Sequence, residues 1–343
     1  MSVKPRGASA VEKIDREILL LLEKRAKAVQ SGGPLPARLS ELKLAQQRGL
    51  SQRALKAIYA EIESGCRECV KPVKVGYLGP KATFTHQATL KHFGGSTDLS
   101  PKRTIADVFA GVESGSEVFG VVPIENSTEG VVTHTLDMFI DSNLNIVTEI
   151  ILKIEHHLAS RTKTPSRMKR LYSHPQSLAQ CRSFVQAELG HLEIIETSSN
   201  SRSADLASKE KGAAAITTAL AAKAWKLHVV KNNVQDFANN ATRFFVLGQS
   251  PKAASGQDRT SLMVSLKDKV GALHHALEPF SRFKINMTKI ESRPSKRQAW
   301  EYLFFIDCEG HISDRKVGKA IEGLDEHCNF VKVLGSYPIS KGI

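Results

Sequence analysis

The sequence predicts three folded parts in succession: an all-α module, an α/β domain built on an open sheet, and a small α+β sandwich. Three observations carry this. Apolar residues repeat at helical spacing through the opening segment. From Val73 onward, apolar runs of strand length alternate with helical ones. After a small, polar segment at Ser250–Gln257, the order becomes strand, helix, strand, strand, helix, strand. The expected boundaries are 1–72, 73–250 and 258–340.

Composition narrows the class. No apolar run approaches the ~18 residues of a membrane span, so no membrane partner is expected. The N-terminal Met1-Ser-Val-Lys-Pro-Arg6 has no apolar region behind its charges, unlike a secretory signal. Five cysteines, an odd number, do not suggest a disulfide framework, and the reading is a soluble, reduced, cytoplasmic protein. The net charge is +13. The first 72 residues hold 14 Lys+Arg against 8 Asp+Glu, a share of +6, so the excess is spread along the chain. With no basic run and no aromatic-rich basic motif, nucleic acid is not the expected partner. A positive field also suits a small dianionic substrate.

Val11, Ile14, Ile18, Leu21, Leu22 and Arg25 form one helical stripe, predicting a helix from Val11 to about Ser31. Gly32-Gly33-Pro34-Leu35-Pro36 ends it. Two more helices are expected at Ser40–Gln47 and Ser51–Glu68, and stripes this narrow need a partner, so the module reads as dimerising. Cys66-Arg-Glu-Cys69 has metal or redox spacing, but no second pair accompanies it and it sits late in a helix; packing or surface thiols are expected, and no metal.

Val73–Leu78 is a predicted strand, and Gly79-Pro80 turns it toward a helix with Thr83 and Thr85 at its start. Ile105–Val112 is a helix and Val118–Val122 a strand. That strand leads into Val122-Pro-Ile-Glu-Asn-Ser-Thr-Glu-Gly130 and an apolar helical pattern. Two readings of this turn stand: an anion cradle of N–H groups and hydroxyls, or a capped turn with Ser127 or Thr128 as N-cap. Asn145–Leu152 is a strand, and Leu171–Cys181 reads strand, polar turn, helix, with Ser173 or Ser177 as cap. Ile194–Glu196 and Ala213–Ile216 are strands, Ser203–Glu210 and Thr218–Trp225 helices, and Asn240-Ala-Thr-Arg-Phe244 opens a strand through Leu247. The last part has strands at Ser261–Leu266, Ile285–Glu291, Glu301–Asp307 and from Val331, with helices after Gly271 and through Ile321, a ferredoxin-like order.

Four polar phrases follow strands in one register: Tyr77-Leu-Gly-Pro…Thr83-Phe-Thr-His-Gln-Ala88, Val122–Gly130, Ser173-His-Pro-Gln-Ser-Leu-Ala-Gln-Cys181 and Asn240-x-Thr-Arg-Phe244. Together they resemble prephenate dehydratase, from about Val75 to Gly248. The resemblance implies two α/β lobes like a type 2 periplasmic binding protein, with the site in the cleft. It implies conversion of prephenate to phenylpyruvate, water and carbon dioxide, driven by aromatisation and needing no cofactor. Thr242 matches the catalytic threonine, a positioned hydrogen-bond donor to the departing hydroxyl. Thr83, Asn126, Ser127, Thr128, Ser173, Gln176 and Arg243 are the implied substrate contacts, Arg243 having a strand-edge ion pair as its alternative. Glu125 reads as a hinge-region hydrogen-bond partner. His86 and His174 suggest acids, but the resemblance pins neither. Where the family has Glu-Gly, this chain has Lys81-Ala82, and Ala does not freely take positive φ.

Gly271-Ala272-Leu273 and Glu291-Ser292-Arg293-Pro294 resemble the two motifs of the ACT domain attached to these enzymes, which implies L-phenylalanine as feedback effector, bound between the domains of a homodimer or higher homo-oligomer. Asp15 and the run to Arg25 resemble the first helix of an AroQ-type chorismate mutase, whose arginines grip two carboxylates. Arg25 matches one of them; other gripping positions fall on Ala8 and Pro36, with the late polar pair near Cys66 and Val70. The expected reading is a degenerate mutase module on a working dehydratase. The alternatives are a bifunctional mutase–dehydratase and a non-catalytic amino-acid-binding regulator, in which Thr242 would point away from the cleft.

Overall fold

The computed structural model describes residues 9–31, 50–69, 72–295 and 301–340. The expected helix at 40–47, the Gly-Gly-Pro break and the positions of Ala8, Pro36 and Val70 lie outside them. Two compact units are present: Met1–Lys74 with Leu90–Asp98, and Val75–Thr89 with Leu99–Ile343.

In the first unit, α1 (Ala10–Gln30) starts at a capping box in which Ser9 and Glu12 satisfy each other's backbone N–H. α2 (Gln52–Glu68) is capped by the Ser51 hydroxyl. Arg25 donates to the Ile62 carbonyl (3.4 Å) and Gln30 to that of Cys69 (3.0 Å), holding the helices together. The predicted stripe is not covered: Val11, Ile14, Ile18 and Leu21 are exposed, and the buried residue of α1 is Val29. Cys66 is buried, Cys69 exposed, and both are free thiols.

In chain order there follow β1 (Lys74–Leu78), α3 (Phe84–Phe93), β2 (Asp98–Lys102), α4 (Ile105–Glu113), β3 (Phe119–Asn126), β4 (Gly130–Val131), α5 (Thr133–Met138) and β5 (Asn145–Lys153). Next come β6 (His157–Ser160), β7 (Arg170–Ser173), α6 (Pro175–Gln180), α7 (Arg182–Glu188), β8 (Glu193–Glu196), α8 (Asn200–Lys209), β9 (Ala213–Thr217), α9 (Ala219–Ala224), β10 (His228–Lys231) and β11 (Ala241–Gly248). The last part is β12 (Asp258–Leu266), α10 (Ala272–Arg282), β13 (Met287–Pro294), β14 (Tyr302–Glu309), α11 (Arg315–Glu322) and β15 (Cys328–Pro338).

These strands make three sheets. The first runs β2-β1-β3-β11-β5 with β4 beside β3, the second β10-β6-β9-β7-β8, the third β13-β14-β12-β15. The chain leaves the first sheet after Lys153 and returns to it at Ala241, so the α/β part has two lobes joined by two crossings. The third sheet is the expected βαββαβ sandwich, with α10 and α11 over a core of Leu262, Val264, Ile306 and Val317.

The first lobe and the sandwich share one core. Ile146, Phe245 and Leu247 pack in the same cluster as Met263, Phe305, Leu334 and Tyr337. Gly335 makes this approach possible: a Cβ there would fall 2.3 Å from the Ile146 carbonyl oxygen.

Three local expectations are corrected. The Val122–Gly130 phrase is not a helix cap: β3 continues through Pro123 to Asn126, turns back as β4, and α5 starts with no side-chain cap. The cap after β7 is His174, with Pro175 in the first helical position, rather than Ser173 or Ser177. The strand expected to end at Glu291 runs on through Pro294, so the Glu291–Pro294 motif lies within β13.

Candidate active site

β3 and β11 run antiparallel and place Thr242 opposite Asn126. Asn126 closes the β3–β4 turn: its Oδ1 accepts from the Thr128 and Glu129 backbone N–H groups (3.0 and 3.1 Å) and from the Thr128 hydroxyl (2.7 Å). Backbone N–H groups can only donate, so they decide which end of the amide is oxygen. Nδ2 is then the donor, and it lies 2.8 Å from Thr242 Oγ1 and 2.8 Å from Asn240 Oδ1. The Thr242 hydroxyl therefore accepts from Asn126 and keeps its own proton for another acceptor.

The direction propagates across the lobes. Asn240 Nδ2 donates to Gln180 Oε1 (2.9 Å), and Gln180 Nε2 donates to Glu129 Oε1 (3.1 Å) and Thr128 Oγ1 (3.3 Å). His156 Nε2 lies 2.8 Å from Gln180 Oε1 and must donate to it. Burial holds His156 below its ordinary pKa of 6.5, consistent with a neutral ring protonated on Nε2. Its Nδ1 is buried with no hydrogen-bond partner among the described residues. Gln180 lies on α6 of the second lobe, so this chain ties the two lobes at Thr242.

A second set of contacts closes the first loop over the second lobe. Ser201 donates to the Lys81 carbonyl (2.5 Å) and Thr218 to the Ala82 carbonyl (3.0 Å). Ala82 does take positive φ, at 64°, and its N–H donates to His86 Nδ1 (2.8 Å). Three hydrogen bonds thus hold a conformation that costs an L-residue about 1–2 kcal/mol. His86 stacks on Tyr77 with centroids 4.7 Å apart, and burial, then Lys81, lowers its pKa. His174 accepts from the Gln176 N–H (3.3 Å), and burial lowers its pKa too. Both imidazoles accept at Nδ1 from backbone N–H groups close by in the chain.

The remaining expected residues divide. Ser127 Oγ accepts from the Ala241 N–H (2.9 Å), and its own N–H donates to the Ala241 carbonyl, so Ser127 stitches β11 to the turn. Thr83 Oγ1 accepts from the His86 N–H and donates to the Pro80 carbonyl (3.1 Å), shaping the first loop. Ser173 is fully buried behind the His174 turn. Gln176 is exposed; the glutamine at the lobe junction is Gln180, one helical turn further along the same quoted phrase. Arg243 is not poised for a substrate carboxylate. Its guanidinium binds Glu149 (2.7 Å), Glu125 (2.9 Å), Asp307 (2.6 Å) and the Tyr337 hydroxyl (2.8 Å). Burial alone would lower its pKa, but Tyr337, Asp307, Glu149 and Glu125 raise it. Of the expected effector residues, Gly271 (φ 76°) opens α10. Arg293 on β13 pairs with Asp137 of α5 (3.1 Å).

No group of three or more His, Cys, Asp or Glu side chains could hold a metal ion among the described residues. No helix among them is long and apolar enough to cross a membrane.

A family model described as prephenate dehydratase matches residues 75–252, and one described as ACT domain matches 260–326. The chain belongs to the prephenate dehydratase family. A bifunctional chorismate mutase/prephenate dehydratase of Aquifex aeolicus is 43% identical over 96% of both chains. Among solved structures, a prephenate dehydratase of Arthrobacter aurescens in complex with L-Phe is 32% identical, with a TM-score of 0.72 over 78% of this chain and 90% of that one. The quorum-quenching acylase GqqA is 27% identical with a TM-score of 0.70, covering 78% of this chain and 98% of that one. Likeness of fold alone would not choose between the two chemistries; the family model over the motif-bearing residues does.

Proposed function

We infer that the chain dehydrates and decarboxylates prephenate to phenylpyruvate, under feedback by L-phenylalanine. The observation that carries the mechanism is the fixed amide of Asn126. Because its Nδ2 donates to Thr242 Oγ1, the threonine O–H is free to hydrogen-bond the ring hydroxyl as it departs, the proton that completes the released water coming from solvent. A threonine is a weak acid, so it acts by a preoriented hydrogen bond that strengthens as negative charge grows on the leaving oxygen. Loss of carbon dioxide then supplies the electrons that complete the aromatic ring. Asn126, Thr128 and Gln180 hold the donor in place and tie the lobes around the substrate. The ACT match and the L-Phe complex of the Arthrobacter relative support L-phenylalanine as effector.

The N-terminal helices belong to the same proposal. The match to the Aquifex bifunctional relative over 96% of both chains favours a working chorismate mutase over the degenerate module expected from the sequence. The exposed Ile14, Ile18 and Leu21 of α1 support a homo-oligomer in which a second copy covers them. Five free cysteines suit a reducing cytoplasm.

The test is a paired assay on the full chain, following chorismate loss and phenylpyruvate formation separately. Both activities are expected, and L-phenylalanine is expected to depress phenylpyruvate formation. Prephenate turnover without chorismate loss would return the helices to a degenerate role. Turnover of neither would favour the amino-acid-binding regulator.

A further inference from the structure

The residues on either side of the Asn126–Thr242 pair belong to a second, adjacent rung of the same ladder. Glu125 is the register partner of Arg243, and a β-bulge follows immediately, between Arg243 and Phe244. Strand alternation turns this rung to the opposite face of the sheet from the donor pair. There the ACT sheet holds it. Lys289 of β13 pairs with Glu125 (2.5 Å), Asp307 of β14 with Arg243 (2.6 Å), and Tyr337 of β15 accepts from the same guanidinium.

The charges are committed on both sides. Arg243 and Asp307 side chains are each 7% exposed, and Glu149 beside them is 1% exposed. Burial alone would raise the Glu125 pKa, yet Lys289 and Arg243 bring it below its ordinary value. Lys289 is two residues before Glu291, on the strand that carries the expected effector motif, and it faces the same way as Glu291 and Arg293. Arg293 makes a second pair to the first lobe through Asp137. Beside the Lys289–Glu125 pair a cavity of about 350 Å³, lined also by Asn126, Arg243, Arg259 and Thr288, leaves the pair room to move.

We propose that Lys289 and Asp307 are positioning residues for the dehydratase site. They grip the Glu125–Arg243 rung and so fix the Asn126–Thr242 rung next to it, and a shift of β13 on effector binding is carried through this grip to the donor hydroxyl. A ladder is stiff along its hydrogen bonds, so a displacement of one rung by a few tenths of an ångström misaligns its neighbour. This inference rests on the dehydratase and L-phenylalanine readings above.

The test uses the full chain, with prephenate turnover, L-phenylalanine inhibition and L-phenylalanine binding by calorimetry measured in parallel. For Lys289→Met the expected result is binding within about threefold of wild type, an inhibition midpoint raised at least about tenfold, and a lowered kcat at nearly constant KM. Adding Lys289→Met to Glu125→Gln should change the midpoint no further, because both act through one pair. An unchanged midpoint overturns the proposal. So does a midpoint that moves in step with binding, which would make Lys289 a direct effector contact. If Lys289→Met fails to fold, Tyr337→Phe removes only the hydroxyl that receives Arg243. It should lower kcat and weaken inhibition with binding retained, and no change in either overturns the proposal. A wild-type chain that turns over no prephenate overturns the dehydratase reading itself, and is read out before any variant.

Discussion

Val11, Ile14, Ile18 and Leu21 of α1 are between 47% and 65% exposed, whereas every residue of β11 from Thr242 to Gly248 is buried. Both stretches show a regular apolar pattern in the sequence. In β11 the pattern is met on one side by β3 and β5 and on the other by a core shared with the ACT sheet. Among the described residues α2 packs against α1, and the apolar stripe remains exposed beside it. Periodicity tells which residues seek burial, not what buries them.

The sharpest way to break this comparison is to attack the shared core through its charges. Asp307→Ala leaves Arg243 buried beside one carboxylate fewer, and should destabilise the α/β unit by about 3–5 kcal/mol, read as a lowered denaturant midpoint. The same substitution made at an exposed charge of α1, such as Glu17→Ala, should move it by less than about 0.5 kcal/mol. Equal effects would mean that the ion network contributes nothing beyond surface pairing.

The exposed stripe is tested by solution mass. If a second copy covers the stripe as proposed, the double substitution Ile14→Ser with Ile18→Ser should lower the solution mass in light scattering while leaving prephenate turnover within about twofold. An unchanged mass would overturn the proposed cover of this stripe by a second copy.

Acid should separate the regions as well. Burial depresses the pKa values of His86, His156, His157 and His174 below 6.5. The unfolded chain then takes up protons before the folded one does, so stability is full above about pH 6.5 and falls as pH drops through the folded values. Glu125, also depressed, adds a further loss that begins as pH falls through the ordinary carboxylate range. α1 and α2 contain no histidine. In a Trp300→Phe chain, fluorescence from Trp225 in the second lobe should therefore change before the pH reaches the carboxylate range, and a signal unchanged down to that range would contradict this. A small gain is expected at Ala82: Ala82→Gly relieves positive φ and should raise stability by about 0.5–1 kcal/mol.

Much of the α/β unit was legible because its motifs are local. Each phrase sits where a strand ends, and the order of elements follows from alternating periods. The short strands β2, β6 and β10 escaped because four or five residues, some of them charged, show too little alternation to stand out. The role of Arg243 escaped for a different reason. Its partners Glu149, Asp307 and Tyr337 are from 64 to 94 positions away, and nothing in its neighbourhood along the chain names them. Gln180 was within reach: it lies four residues after Gln176 in a phrase already singled out, on the same helical face. The Ala82 departure is visible in the sequence, but the three hydrogen bonds that hold it come from Ser201, Thr218 and His86, two of them in the other lobe.

The most direct measurement is kcat for prephenate with Thr242→Ala and Thr242→Ser beside the wild type, with L-phenylalanine binding as the check on folding. The predicted result is a loss of about 10²–10³-fold for Thr242→Ala and a far smaller loss for Thr242→Ser, which keeps the hydroxyl that Asn126 orients, with effector binding retained in both. Wild-type turnover in Thr242→Ala would contradict the account, because the one proton the Asn126 amide leaves free would then have no part in the reaction.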